Sequence, residues 1–148
     1  MKKKSANMFL VSTSAAVGFG ARLHSSTENV VLTQDQATQI FELSAKKYEY
    51  SPSLVHVKTG TKVQLKITAT DDDHGFKIAL APDGDQPSSN PGLVFDSPQD
   101  CWQLKKGETT RIEFMARTPG TYLFKCCHTC GLGHRGMQAQ IIVDPPAL

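Results

Sequence analysis

The sequence predicts an all-β domain, an antiparallel sandwich or barrel, and three observations carry that reading. Apolar and polar residues alternate with period two in several short stretches, the pattern of strands with one buried face. Those stretches are separated by Gly, Pro, Asp, Asn and Ser, the residues that turns select. No stretch holds an apolar stripe at helical spacing over three turns.

The elements follow in order. Ile40–Ala45 alternates loosely, and Tyr48-Glu49-Tyr50 runs into the turn signal Ser51-Pro52. Val55-His56-Val57 alternates, Thr59-Gly60 punctuates, and Val63–Ala69 alternates cleanly. Phe76–Leu80 is the next strand candidate. Residues 81–100 hold Pro82, Pro87, Pro91 and Pro98 with Gly84 and Gly92, and predict a long loop. A loop of that length in a small domain is uncommon. Thr110–Phe114 resumes alternation, Thr118-Pro119-Gly120 turns, and Gly120–Lys125 leads into a loop rich in Cys and His. The apolar run Gln140–Val143 follows that loop.

The chain's 148 residues allow one ordinary domain, and 39% hydrophobic with 20% charged residues allow it a packed core. The formal charge is +2, but Lys2, Lys3 and Lys4 lie in a leader, and without them 13 basic residues face 14 acidic ones. No basic stripe argues for nucleic acid. The leader, residues 1–21, has a positive start and a mostly apolar or small run over residues 8–21. That fits an export signal better than a spanning helix, which needs about 20 apolar residues. Cleavage is expected after Gly20 or Ala21. Residues 22–38 read as a polar linker or N-terminal arm, and residues 39–148 as a domain working in the periplasm or another extracytoplasmic space. If residues 8–21 were retained, they would anchor it to a membrane.

The chemistry sits between Cys126 and Met137. Cys126, Cys130, His134 and Met137 stand at i, i+4, i+8 and i+11 in one loop held between two strands. Thiolate, imidazole and thioether donors suit copper better than magnesium, calcium or manganese. A further ligand must come from elsewhere, and His74, at the boundary between two strands, is the best candidate. His24 lies near the leader boundary, and His56 alternates with two valines and should face solvent. Several metal readings stay open from the residues alone. They are a two-copper site, a mononuclear copper site, a structural zinc site built from His74, Cys126, Cys130 and His134, or a Cys126–Cys130 disulfide with no metal. Copper binding could serve electron transfer or the delivery of Cu(I). Trp102 either covers the site or anchors the insertion by burial. Asp71-Asp72-Asp73 reads as a solvated turn or as an attractor for a cationic partner. No nucleophile–base pair, phosphate loop or paired-carboxylate site is present, so the domain is not expected to be an enzyme by itself.

The run Cys126-x3-Cys130-Gly131-x2-His134-x2-Met137, with His74-Gly75-Phe76 upstream, resembles the binuclear Cu-A domain of cytochrome c oxidase subunit II, as does a similar domain of nitrous oxide reductase. Tyr48-Glu49-Tyr50-Ser51-Pro52, Val57–Gly60, Thr118–Tyr122 and Gln140–Val143 extend the likeness over roughly residues 40–143. The resemblance implies a cupredoxin Greek-key β-sandwich carrying two copper ions. By it, Cys126 and Cys130 bridge the ions. His134 and the backbone carbonyl of His128 serve one ion, and His74 and Met137 serve the other. It also implies electron transfer from a donor such as a c-type cytochrome to a terminal reductase or oxidase.

Four departures from the family pattern stand out. No transmembrane hairpin precedes the domain in this sequence, and the interval from His74 to Cys126 is longer, with residues 81–103 inserted. His128 replaces an acidic or amide residue, and Cys101 and Cys127 are extra. Neighbours in an extended segment point opposite ways, so Cys127 should face away from Cys126. A Cys101–Cys127 disulfide would then tie the insertion to the metal loop; two separate free thiols are the alternative.

Overall fold

The computed structural model describes residues 37–85 and 90–148. The expected leader, almost all of the expected linker, and His24 lie outside the described residues. Among the described residues there are ten strands: β1 (Gln39–Lys46), β2 (Glu49–Ser51), β3 (Leu54–Lys58), β4 (Lys62–Ala69), β5 (His74–Ile78), β6 (Leu93–Phe95), β7 (Trp102–Leu104), β8 (Thr109–Ala116), β9 (Gly120–Lys125) and β10 (Gln138–Asp144). One 3-10 turn spans His134–Gly136. Among the described residues, no helix is long and apolar enough to cross a membrane.

The strands form two five-stranded sheets, ordered β2-β1-β4-β8-β6 and β3-β10-β9-β5-β7. Alternation decides which face is buried. In β4, Val63, Leu65, Ile67 and Ala69 point inward, while Lys62, Gln64, Lys66 and Thr68 point outward. The inward faces close on one another through Leu65, Ile67 and Phe114 on one side and Phe76, Phe124 and Ile141 on the other, all fully buried. This apolar burial is the main source of stability in such a sandwich.

Two expectations need correction. The pairing is not purely antiparallel: β1 runs parallel to β4, and β3 runs parallel to β10. The chain crosses to the second sheet for β3 and returns for β4, and a return to the same sheet can lay a strand parallel to an earlier one. The expected long loop at 81–103 also carries structure, since β6 lies in it and β7 begins in it. Leu93 and Phe95 are buried against β8, and Trp102 and Leu104 against β5. Runs of three residues are too short for alternation to show among so many prolines and glycines. Trp102 packs 5.0 Å from Phe95 and 5.8 Å from Phe76, ring to ring, so it anchors the insertion by burial.

Tyr122 ties the turn before β9. Its ring is fully buried and its hydroxyl donates to the Thr118 carbonyl at 2.7 Å. Tyr122→Phe keeps the ring and removes the bond, which should cost about 1 kcal/mol. Urea unfolding checks this, and an unchanged midpoint would show that the bond adds nothing.

Candidate metal centre

Strand direction gathers the predicted residues. β5 and β9 are antiparallel, with Lys77 opposite Lys125, so the start of β5 and the end of β9 share one end of the sheet. His74 opens β5, Cys126 follows β9, and Met137 precedes β10. The loop closes on its own backbone. The Cys126 N–H donates to the Met137 carbonyl at 3.0 Å, and the Met137 N–H to the His134 carbonyl at 3.2 Å. Gly131, at φ +134, permits the turn after Cys130, where a side chain would be strained.

Donor atoms of His74, Cys126 and Cys130 all lie within 4.8 Å of one another, and all three residues are buried. The two thiols are free and sit 3.7 Å apart. Cys126 Sγ accepts from the Gly75 N–H at 3.4 Å and donates to the His128 carbonyl at 3.1 Å. Burial pushes the Cys130 thiol up to about 11, and the neighbouring Cys126 adds to the effect. The Tyr50 phenol is likewise held far above its ordinary range by burial and by the two sulfurs. It therefore stays neutral and donates to the Gly75 carbonyl at 2.5 Å.

His74 is oriented by Asp71, which the sequence offers only as part of a solvated turn or of an attractor for a cationic partner. Burial works to raise the Asp71 carboxyl, but the Lys47 N–H and the His74 ring outweigh it and hold the group below its usual range. An ionised carboxylate only accepts, so His74 Nε2 carries the proton and donates to Asp71 Oδ1 at 2.7 Å. In the neutral ring the lone pair is on Nδ1, which is buried and has no partner among the described residues. This is the outer-shell arrangement that fixes a metal-binding imidazole. Asp71→Ala should leave the fold intact and weaken metal affinity by about 10–100-fold. Competition with a chelator of known affinity measures it, and an unchanged affinity would remove the positioning role.

The other predicted residues stand as follows. His134 sits on the 3-10 turn, half-buried, with an unpartnered buried Nδ1, but outside the three-residue group just described. Met137 is fully buried. The His128 carbonyl faces Cys126, and its Nδ1 is also buried without a partner. Cys101 and Cys127 form a disulfide. His56 lies on the exposed outer face of β3, 3.2 Å from Asp144.

Two further residues belong to the site. A Cβ added to Gly75 would stand 2.6 Å from Cys127 Sγ and 2.8 Å from the His128 nitrogen, so only glycine lets β5 press against the disulfide. The Tyr48 side chain lies on the loop, where a Cβ at Gly131 would meet its hydroxyl and a Cβ at Gly133 its ring, each at 2.4 Å. The sequence offered no signal for the role of Asp71 or of Tyr48. Two free buried thiols beside an unpartnered imidazole nitrogen fit a thiophilic metal such as copper.

The comparisons agree with this architecture. The chain is 27% identical over 96 residues to cytochrome c oxidase subunit 2 of Thermus thermophilus, a match covering 65% of this chain and 58% of that one. A second curated subunit 2 sequence, from a named strain of the same organism, matches at 27% with 47% of its length covered. The chain thus spans about half the length of the curated relatives it matches. Among solved structures, auracyanin A, a blue copper protein of Chloroflexus aurantiacus, superposes with TM-score 0.54 at 15% identity, covering 73% of this chain and all of that one. The periplasmic domain of cytochrome oxidase subunit II of Bradyrhizobium japonicum gives TM-score 0.52 at 14% identity, covering 72% of this chain and 84% of that one. At such identities the two structures speak to the fold alone. The cupredoxin-like domain model matches residues 8–143, and the chain belongs to that family.

Proposed function

We propose that this chain is an electron carrier working outside the cytoplasm, with a two-copper centre at the end of the second sheet. Cys126 and Cys130 would bridge the ions, with His134 and the His128 carbonyl on one and His74 and Met137 on the other. The observation that carries the reading is the convergence of His74, Cys126 and Cys130 beneath a loop that brings Met137 back onto Cys126. Copper bound there would supply a one-electron redox couple. The chain's own part is to bury the donors from water, fix His74 through Asp71 and tie the loop down at both ends. A stiff ligand frame leaves little geometry to change between oxidation states.

The similarity to oxidase subunit 2 supports a place in or beside a terminal oxidase complex, with a c-type cytochrome as donor and a terminal oxidase or reductase as acceptor. In the same reading, residues 1–21 direct export, residues 22–38 are a linker and residues 39–148 carry the site. No substrate is transformed at the domain itself. A second reading, with a single copper, draws on one observation: His134 is not among the converged donors. Metal analysis with paramagnetic resonance separates the two. Two coppers per chain with a seven-line hyperfine pattern supports the first. One copper with four lines would replace it with the second.

A further inference from the structure

We propose that the outer face of β5 and β9 is a self-complementary interface through which two copies of this chain pair about a two-fold axis near Leu123. The first observation is a placement of charge that costs stability. Lys77 and Lys125 stand directly opposite each other on neighbouring strands, both exposed, and like charges so placed repel. Neither takes part in an ion pair among the described residues.

The second observation is that the same face carries the opposite charge at its other end. Beyond β5 the chain keeps running along β9. The Ala79 N–H donates to the Leu123 carbonyl at 3.0 Å, and the Asp83 N–H to the Thr121 carbonyl at 2.7 Å. Asp83 and Asp85 are exposed and likewise form no ion pair among the described residues. Positive charge therefore sits beside Lys125 and negative charge beside Thr121. At about 3.3 Å per residue, the two lie roughly 13 Å apart along one strand.

Apolar surface lies between them. Leu80 and Leu123 are 45% and 37% exposed. They line a groove formed by two cavities of about 330 and 540 Å³, which meet at Ala79 and Leu123. A two-fold axis through the middle of such a strip lays each positive end on the partner's negative end and leucine on leucine. A second copy is therefore the favoured occupant: the face already holds both halves of every pair it needs. This inference stands apart from the metal reading and survives its failure.

The test is sedimentation equilibrium of the full chain from about 1 to 500 µM, since a dimer is concentration-dependent. The expected species has twice the 16.1 kDa chain mass and loosens as salt is added. Lys77→Glu with Lys125→Glu should raise Kd at least about tenfold, as should Asp83→Lys with Asp85→Lys. All four together should recover most of the loss. A chain that stays monomeric throughout overturns the proposal, as does a dimer indifferent to either reversal or not recovered by the combined swap. Cross-linking adds an arm that needs no charge change: Leu123→Cys should form a symmetric disulfide dimer in air, and Leu54→Cys, exposed on β3, should not.

Discussion

Cys130→Ser is expected to fold and to lose the two-copper signature. The thiol is buried 3.7 Å from Cys126 and shares its surroundings with His74. A hydroxyl of similar size keeps the packing but is a far poorer ligand for copper than a thiolate. With one sulfur left there is no second bridge, so copper should fall to one per chain or fewer and any seven-line pattern should vanish. The metal-free stability should change by only about 1 kcal/mol, the scale of one buried polar contact. Metal analysis and paramagnetic resonance on the loaded variant check this. A variant that still binds two coppers with an unchanged spectrum would exclude a bridging Cys130.

Cys101→Ser with Cys127→Ser should cost about 3–4 kcal/mol of folding stability, the chain-entropy value for a cross-link spanning 26 residues. For a domain of this size that is a fall of roughly 15 °C in the unfolding midpoint. The cost has a local counterpart, because the disulfide pins β7 to the segment between Cys126 and His128 and presses on Gly75. Thermal unfolding of the wild type with and without reductant should reproduce the loss. A difference under 1 kcal/mol would show that the strands hold the insertion without the bridge.

Strand existence was legible wherever alternation ran for five residues or more, as in β4, because a single buried face writes itself into every second residue. The donor spacing in the Cys126–Met137 loop was legible for another reason: metal chemistry demands particular side chains, and few sequences place four of them by chance. What stayed hidden depended on distant partners. β6 and β7 are defined by pairing with β8 and β5, and three residues carry too little pattern of their own. Asp71 looked like a solvated acid because nothing in its neighbours shows that the Lys47 N–H and the His74 ring will both turn toward it. Tyr48, an exposed aromatic beside a turn, reveals its cover over Gly131 and Gly133 only in three dimensions.

The backbone closure between Cys126 and Met137 has a consequence for how such a protein can change over time. The ligand segment starts and finishes on the same two paired strands, where Lys125 faces Gln138. Insertions, deletions or exchanged donors within it are thus confined between fixed anchors, and the sheets need not move to accommodate them. The architecture separates a heritable frame from a replaceable insert. New ligand sets can be tried in the insert while the frame goes on folding.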